Sequence, residues 1–552
     1  MNRIALLTVL VCPVSLWANP IEQFEMASSY SQEGKWQEAA ALYDTLIDEN
    51  PYHGRAWQQY GFALHQLSRY EAAIEAFEQS IELGFQPTTS MYNIACGYAL
   101  LGNSEAALDW LTRAMDMGFV GRNDLLRTDT DLDTIRDDPR FRQITGLYPP
   151  EDLSRDDRWR YDLDYLARRM EQIHYDLYGV MSRTQFDGAI RDLKSAVPDL
   201  EDYQIAVGIQ RILAMVGDGH TFMLPPIREL GIHRYPISVY RYSDGLFVQA
   251  ATPEYESVVG ARVVSIGGTT ADKAWNAVAE ICSHDNASGL MFAVQRYLVI
   301  PEILHAVGVV DSIQAVPLTV ETRDGGVVTV DLAPVAANDM GEDFVRARDG
   351  ADAPVPLWLK DQESAHWFEF IEADKLVYAQ YNQVQDMPGE SVEQFSHSLF
   401  EFIDENPVEY LVIDMRNNGG GNNFLNKPLV HGLIASEKVN RPGHLFVITG
   451  RRTFSAAMNA AADIEANTEA IFVGEPTGSK PNFVGETTIF PLPCNGVRVS
   501  ISSLYWQRSH AFDYRTWIAP HLLAEMSSED YRMNRDPSME AIHAFIKDTA
   551  RP

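Results

Sequence analysis

A short apolar strand runs directly into a glycine turn at residues 411–421, which read Leu-Val-Ile-Asp-Met-Arg-Asn-Asn-Gly-Gly-Gly. The apolar run at residues 411–413 is long enough for a buried strand. Because glycine has no Cβ, Gly419, Gly420 and Gly421 permit positive φ and let backbone N–H groups converge on a small concavity. The stretch therefore predicts a strand that ends in a site for an anion or a polarised carbonyl oxygen.

A serine follows the next predicted strand, which spans residues 444–449. Ser455 lies at the start of an alanine-rich segment, residues 456–466, and so at a strand-to-helix turn. The first N–H groups of a helix, such as that of Ala456, have no intrahelical acceptor and can stabilise negative charge. Ser455 is thus the predicted nucleophile, and the predicted oxyanion donors are the N–H groups of Gly419, Gly420 and Ala456.

A third predicted strand, residues 470–473, leads into Gly474-Glu475-Pro476-Thr477-Gly478-Ser479-Lys480. The three blocks resemble, in order, those of the tail-specific (C-terminal processing) serine peptidases and of their relatives in the tricorn core protease. Lys480 follows Ser455 at the spacing of that family's serine/lysine dyad. The resemblance implies an α/β (ClpP/crotonase-like) peptidase domain, which we place at residues 355–545.

The chain begins with a charged residue, an apolar stretch and a small residue at position 18, which together are typical of a signal peptide at residues 1–18. We therefore expect a periplasmic or secreted protein. Cys12 follows Val11 where a lipoprotein signal prefers a small residue, so lipid anchoring is not favoured. The apolar stretch is too short for a membrane span, and we expect none elsewhere.

The composition describes a large, acidic, folded protein. Hydrophobic residues make up 46% of 552 residues, and the formal net charge is −33. This charge argues against nucleic acid as a partner. After removal of the signal peptide, Cys96, Cys282 and Cys494 remain, and their scattered positions fit neither a disulfide framework nor a metal site. We expect no metal and no cofactor.

Residues 20–120 contain an internal repeat. Similar segments begin at Trp36, Tyr70 and Ser104, a period of 34 residues, which is that of tetratricopeptide repeats. Stacked helical hairpins of this kind form a solenoid that binds peptides or partner proteins. We therefore predict an all-α solenoid with a protein partner, followed by a cap and linker at residues 121–154 and a helical start of the peptidase region at residues 155–225.

A histidine stands in the turn Gly217-Asp218-Gly219-His220-Thr221. The unperturbed pKa of imidazole suits proton abstraction near neutral pH. Tricorn-type enzymes carry their general-base histidine in a similar turn ahead of the glycine motif, and the resemblance therefore implies that role for His220. Residues 230–340 contain predicted strands and a helix in the order of a divergent PDZ-like β-rich insert, with extra helical residues near 290–307.

Two groups compete to activate Ser455. Lys480 has the dyad spacing, but Pro481 stands where the dyad enzymes usually have glycine. His220 could instead act with an acidic residue from the segment around Asp513, which is similar to the one that supplies a glutamate in tricorn-type enzymes. We favour His220. An Asp two residues before an Arg is also typical of a surface ion pair, so both interpretations of Asp513 stay open.

The predicted function is an exported serine endopeptidase that hydrolyses protein or peptide substrates through an acyl-enzyme on Ser455. The alternative is a catalytically silent protein that uses the same fold to bind a peptide or an apolar ligand. The presence of Ser455, His220 and Lys480 favours the enzyme.

Overall fold

The computed structural model describes residues 19–119, 123–341 and 343–549, with the backbone alone at 123 and 124. The predicted signal peptide, with Cys12, lies outside the described residues. The chain divides into two compact units, residues 1–173 and 174–552. This division falls inside the segment 155–225, so the first helix of that segment groups with the repeats.

The regular structure in the described residues of the first unit is helical, as the 34-residue period predicts. Gly61 shows why the period matters: a Cβ at this position would lie 2.9 Å from the ring of Phe77, so glycine lets two paired helices approach closely. Tyr43, Phe77 and Leu111 recur one period apart and are fully buried. The helices are α1 Pro20–Gln32, α2 Trp36–Glu49, α3 Gly54–Gln66, α4 Tyr70–Glu82, α5 Pro87–Leu100, α6 Ser104–Asp116, α7 Asn123–Thr128, α8 Pro139–Thr145 and α9 Arg155–Ile173.

The second unit begins with two helices and a β-rich region. These elements are α10 Arg183–Ala196, α11 Asp202–Ala214, β1 Phe222–Met223, α12 Ile227–Leu230, β2 His233–Arg234, β3 Ile237–Tyr242, β4 Gly245–Ala251, β5 Arg262–Ile266, β6 Thr269–Thr270, α13 Ala271–Ala279, α14 Ala287–Tyr297, α15 Pro301–Ala306, β7 Val316–Glu321, β8 Val327–Leu332, β9 Val335–Ala336 and β10 Val345–Arg346. An antiparallel sheet in the order β10-β4-β5-β7-β8 holds this region together, and β3 and β6 pair with β4 and β5. The region lies where the sequence predicts the β-rich insert.

The remainder of the second unit carries the predicted α/β architecture. Its elements are α16 Leu357–Lys360, β11 His366–Ile371, β12 Leu376–Tyr381, α17 Val392–Glu405, β13 Tyr410–Asp414, α18 Lys427–Ala435, β14 Leu445–Thr449, α19 Ala456–Asn467, β15 Ile471–Gly474, β16 Asn482–Pro491, β17 Arg498–Gln507, β18 Leu522–Leu523, α20 Ser528–Arg532 and α21 Pro537–Thr549. The sheet order is β11-β12-β13-β14-β15-β18, and all pairs except β11–β12 are parallel.

Helices cover both faces of this sheet. Along β13, Leu411 and Ile413 pack in the core with α17, α18 and α19, whereas Val412 packs in the core with α21. Since alternate residues of a strand point to opposite faces, a strand buried on both sides needs a continuous apolar run. This explains why residues 411–413 of β13 form a continuous apolar run.

A separate antiparallel sheet in the order β1-β17-β16 joins the histidine turn to the later part of the chain. Phe222 pairs with Ser500, and Met223 pairs with Val499. His220 lies two residues before β1, so this pairing fixes where its turn can lie. Within the described residues, none of the helices is both long and apolar enough to cross a membrane.

Candidate active site

Three loops meet at one edge of the α/β sheet because parallel strands end on the same side. The glycine turn follows β13, the loop that carries Ser455 follows β14, and the loop that carries Lys480 follows β15. The Asp414-x-Arg416 part of the first loop is structural. The Arg416 guanidinium bonds to Asp414 and, at 3.0 Å, to Asp536, and the Asp414 carboxylate also accepts from Tyr378 Oη at 2.6 Å.

Ser455 immediately precedes α19 in a backbone conformation that L-residues rarely adopt, with φ 56° and ψ −126°. Its hydroxyl caps no helix N–H. A residue held in such a region costs about 1–3 kcal/mol and persists because the surrounding structure imposes it. The strained turn projects the hydroxyl at the start of a helix, where N–H groups favour negative charge.

The glycine turn packs directly against Ser455. A Cβ on Gly420 would lie 2.6 Å from the Cβ of Ser455, and one on Gly421 would lie 2.2 Å from the carbonyl oxygen of Val384. Both glycines also have positive φ, +102° and +140°. Side chains at these two positions are therefore excluded by contact as well as by conformation.

The predicted oxyanion donors differ in what their N–H groups contact. The Gly420 N–H donates to Asn418 Oδ1 at 2.9 Å and is already engaged. Gly419 lines a different cavity from Ser455. Gly421 and Ala456 line the Ser455 cavity, and their N–H groups have no acceptor among the described residues. The sequence indicated the turn from Gly419 to Gly421 as a whole, but three successive glycines do not reveal which N–H faces the cavity.

One buried carboxylate, that of Asp218, shapes the His220 turn. Its Oδ1 accepts from the backbone N–H of His220 at 2.8 Å and of Thr221 at 2.6 Å. The same oxygen accepts from Ser502 Oγ at 2.8 Å, and Oδ2 lies 2.8 Å from His174 Nε2. Asp218 is thus committed to holding the turn.

The His220 ring lies between two aromatic rings. Its centroid is 4.2 Å from that of Phe454 and 5.2 Å from that of Phe483. The residue is buried, and neither ring nitrogen has a hydrogen-bond partner in the described part of the chain. Burial lowers the pKa of His220, and the charges of Asp285 and Asp218 partly oppose this effect. A neutral imidazole with unoccupied nitrogens can accept a proton.

Asp285, which the sequence did not single out, is a buried carboxylate near His220. It accepts from the Gly219 N–H at 2.9 Å and from Ser479 Oγ. Burial raises the pKa of Asp285, whereas the His220 charge lowers it. The residue precedes α14 in the β-rich region, and no spacing in the sequence connects it with the histidine turn.

Asp513 and Lys480 lie apart from the cavity that Ser455 and His220 share. Asp513 Oδ2 accepts from Arg515 at 2.8 Å, and Arg515 also bonds to Glu465 at 2.8 Å. Asp513 therefore forms the ion pair with Arg515, which is the second of the two interpretations that the sequence left open. Lys480 is partly exposed, and its amine contacts no carboxylate of the described residues within ion-pair distance.

Two neighbouring cavities flank the glycine turn. Ser455, His220, Gly421 and Ala456 line the smaller one, of about 320 Å³, together with Asn422, Asn423, Phe424, Asn459, Glu486, Thr487 and Trp506. The larger cavity has a volume of about 530 Å³ and is lined in part by Gly219, Gly419 and Phe454. These three residues directly precede His220, Gly420 and Ser455 in the chain. The smaller cavity, which we call the serine cavity, brings the predicted nucleophile and the favoured base together.

The strain at Ser455 predicts a difference in stability between two variants that lack its hydroxyl. We expect Ser455→Gly to have a free energy of unfolding about 1 kcal/mol higher than that of Ser455→Ala, because glycine adopts positive φ without a Cβ penalty. Urea denaturation followed by circular dichroism measures both. Equal midpoints would show that the turn is not strained.

A tetratricopeptide repeat family model matches residues 24–86. The peroxisomal targeting signal receptor of Pichia angusta is 26% identical over 164 residues, which span 28% of this chain and 28% of the receptor.

Solved structures match the larger part of the chain. Mature CPAF complexed with lactacystin matches with a TM-score of 0.51 at 14% identity, over 71% of this chain and 98% of that chain. The photosystem II D1 C-terminal processing protease matches with a TM-score of 0.36 at 14% identity, over 72% of this chain and 99% of that one. The predicted fold is confirmed: tetratricopeptide repeats precede an α/β domain that shares the fold of mature CPAF.

Proposed function

We propose that the protein is an exported serine endopeptidase that hydrolyses peptide bonds of protein substrates, with the repeats as a docking module for a protein partner. The observation that carries the proposal is the content of the serine cavity. Ser455 in its strained turn, the unpartnered His220 ring, and the N–H groups of Gly421 and Ala456 line one space. A nucleophile, a base and two donors are the groups that acyl transfer requires.

The first step forms the acyl-enzyme. His220 takes the proton of the Ser455 hydroxyl as Ser455 Oγ attacks the carbonyl carbon of the scissile bond. The N–H groups of Gly421 and Ala456 donate to the resulting oxyanion. When the C–N bond breaks, protonated His220 gives the proton to the leaving amine, and Ser455 carries the acyl group as an ester.

The second step reverses these roles with water. His220 takes a proton from water, whose oxygen attacks the ester carbonyl, and returns the proton to Ser455 Oγ as the ester breaks. The products are a carboxylic acid and the regenerated serine. Burial of His220 keeps the imidazole neutral at rest, so that it is ready to accept the proton.

In this mechanism Asp285 takes the acidic role that the resemblance suggested as one of two interpretations of Asp513. Its charge stabilises the imidazolium that forms during each step, and it is the leading charge that raises the pKa of His220. Asp513 is bound to Arg515 instead. Lys480 remains the alternative base, although it does not line the serine cavity.

A fluorophosphonate reagent tests the proposal directly, because it phosphonylates a serine only where a base and an oxyanion site activate it. We expect one adduct, located by peptide mass spectrometry on Ser455. The matched control is the protein unfolded in urea, in which the site is dispersed and labelling should be lost.

An unlabelled Ser455 in the folded protein, together with no cleavage of unfolded casein, would contradict the peptidase and favour a silent protein that binds a peptide or an apolar ligand. Labelling at another serine would contradict the assignment of Ser455.

A further inference from the structure

The larger cavity beside the serine cavity has a distinct chemistry. Its apolar wall includes Phe222, Leu224, Ile281, Phe292 and Tyr297. Its cationic groups are Arg296, Arg451 and Arg452, and no Asp or Glu is among the described residues that line it. This is a local excess of positive charge in a chain whose formal net charge is −33. We call it the arginine cavity.

The three arginines are not equivalent. Arg451 Nη2 lies 2.7 Å from the Glu475 carboxylate and is neutralised there. Arg296 and Arg452 form no ion pair with any described residue, and their guanidinium groups lie over the Phe292 ring at 5.4 Å and 5.8 Å from its centroid. Two cations thus share one aromatic ring without an anion between them.

The two unpaired arginines also repel each other. Partial burial and the charge of Arg296 lower the pKa of Arg452. Burial and the same Arg296 charge lower the pKa of Arg234, and Arg234 Nε is buried without a hydrogen-bond partner among the described residues. Asp285 is not among the residues that line the cavity, and its oxygens accept from the Gly219 N–H and from Ser479 Oγ.

The position of the arginine cavity connects it to the reaction. A Cβ on Gly419 would lie 3.4 Å from Arg452 Nε, so this guanidinium lies against the glycine turn. Arg452 is three residues before Ser455 in the same loop, and Phe454 lines the arginine cavity while its ring stacks on His220. A polypeptide bound across Ser455 would therefore reach this cavity within a few residues.

We propose that Arg296 and Arg452 bind a carboxylate of the substrate, with the apolar wall accommodating an apolar side chain next to it. The inference rests on the proposed function and names a substrate class for it: polypeptides that carry a negative charge close to the scissile bond. The carboxylate comes either from an Asp or Glu side chain or from the substrate's own C-terminus. Guanidinium groups suit both, because they bind carboxylates through paired N–H donors.

Binding to an inactive variant tests the inference independently of turnover. The probes are four fluorescein-labelled decapeptides that share one apolar sequence. They differ at two points: one position holds either Glu or Gln, and the C-terminus is either a free carboxylate or an amide. Ser455→Ala protein is titrated with each probe, and the dissociation constant is read from fluorescence anisotropy. We expect loss of the bound carboxylate to weaken binding about 10-fold, the order expected for a charge-assisted hydrogen bond.

Three further variants in the Ser455→Ala background localise the effect. Arg296→Gln should remove the preference between charged and neutral probes, whereas Arg452→Lys, which keeps a point charge without the planar donor pair, should retain part of it. Arg498→Gln, an exposed arginine outside both cavities, should leave the preference unchanged. Raising the salt concentration should reduce the preference in the Ser455→Ala protein and in its Arg498→Gln variant, but not in the Arg296→Gln variant, which has no preference to lose.

The four probes also identify the source of the carboxylate. Weaker binding of the probes that end in an amide indicates that the cavity binds the substrate C-terminus. Weaker binding of the probes that contain Gln indicates that it binds an acidic side chain. Equal binding of all four probes, or a preference that survives Arg296→Gln, would overturn the inference. In either case fluorophosphonate labelling of Ser455 in the parent enzyme would still support the peptidase, so the two failures are distinguishable.

Discussion

Replacing Ser455 by alanine is expected to lower the kcat for hydrolysis of unfolded casein by about 10⁴-fold or more, because the proposed acyl-enzyme forms on the Ser455 hydroxyl. The release of acid-soluble peptides measures the rate. The fold should persist, since the Ser455 hydroxyl caps no helix N–H.

A matched control is Ser195→Ala on α10, an exposed serine whose hydroxyl only bonds back to the Arg191 carbonyl within the helix. It should retain full activity. If Ser455→Ala protein hydrolysed casein as fast as the parent, the acyl-enzyme mechanism would be excluded and any activity would belong to another site or to a contaminant.

The second large effect concerns the base. We expect His220→Ala to lower kcat by about 10²–10⁴-fold, the usual cost of losing a positioned acid–base group. Lys480→Ala should cost far less, because Lys480 does not line the serine cavity. Parallel kinetics of the two variants on one fluorogenic peptide give the ranking, and circular dichroism confirms that each is folded.

The pH profile gives a second test of the base. Burial lowers the pKa of His220 from its ordinary value of 6.5, so the neutral, proton-accepting form persists as the pH falls through 6.5. The parent kcat/KM should therefore be level at neutral pH and fall only when the pH drops through the lower pKa of the folded protein. An activity that rises only at alkaline pH, with Lys480→Ala as the more damaging variant, would assign the base to Lys480.

The sequence predicted the parts of this protein that depend on local patterns. The 34-residue period predicted the positions of the helical hairpins. The period recurs because each hairpin needs a small residue such as Gly61 opposite a bulky one such as Phe77. The apolar run before the glycine turn placed β13, since a strand buried on both faces needs apolar residues at successive positions. The position of Ser455 immediately before α19 followed from the order of strand, turn and alanine-rich helix.

Long-range packing decided what the sequence could not predict. Asp285 comes from the β-rich region, and its approach to Gly219 joins residues 66 positions apart. The engagement of the Gly420 N–H depends on the Asn418 side chain, which is itself held by the Tyr381 carbonyl at 2.8 Å. A motif gives residue types and spacing, but the direction of one N–H or one carboxylate is set by the packing around it.

The bonds of Asp218 have a consequence for the timing of folding. This carboxylate holds the His220 turn, and one of its partners is Ser502, 284 positions later in the chain. Chains emerge from the ribosome N-terminus first, and contacts between distant residues form only when both are present. The histidine turn of a nascent chain thus lacks the bond from Ser502 to Asp218 until most of the polypeptide has been synthesised. Under the proposed function, an incomplete chain would be inactive, and the cell that makes the protein would be protected from premature proteolysis.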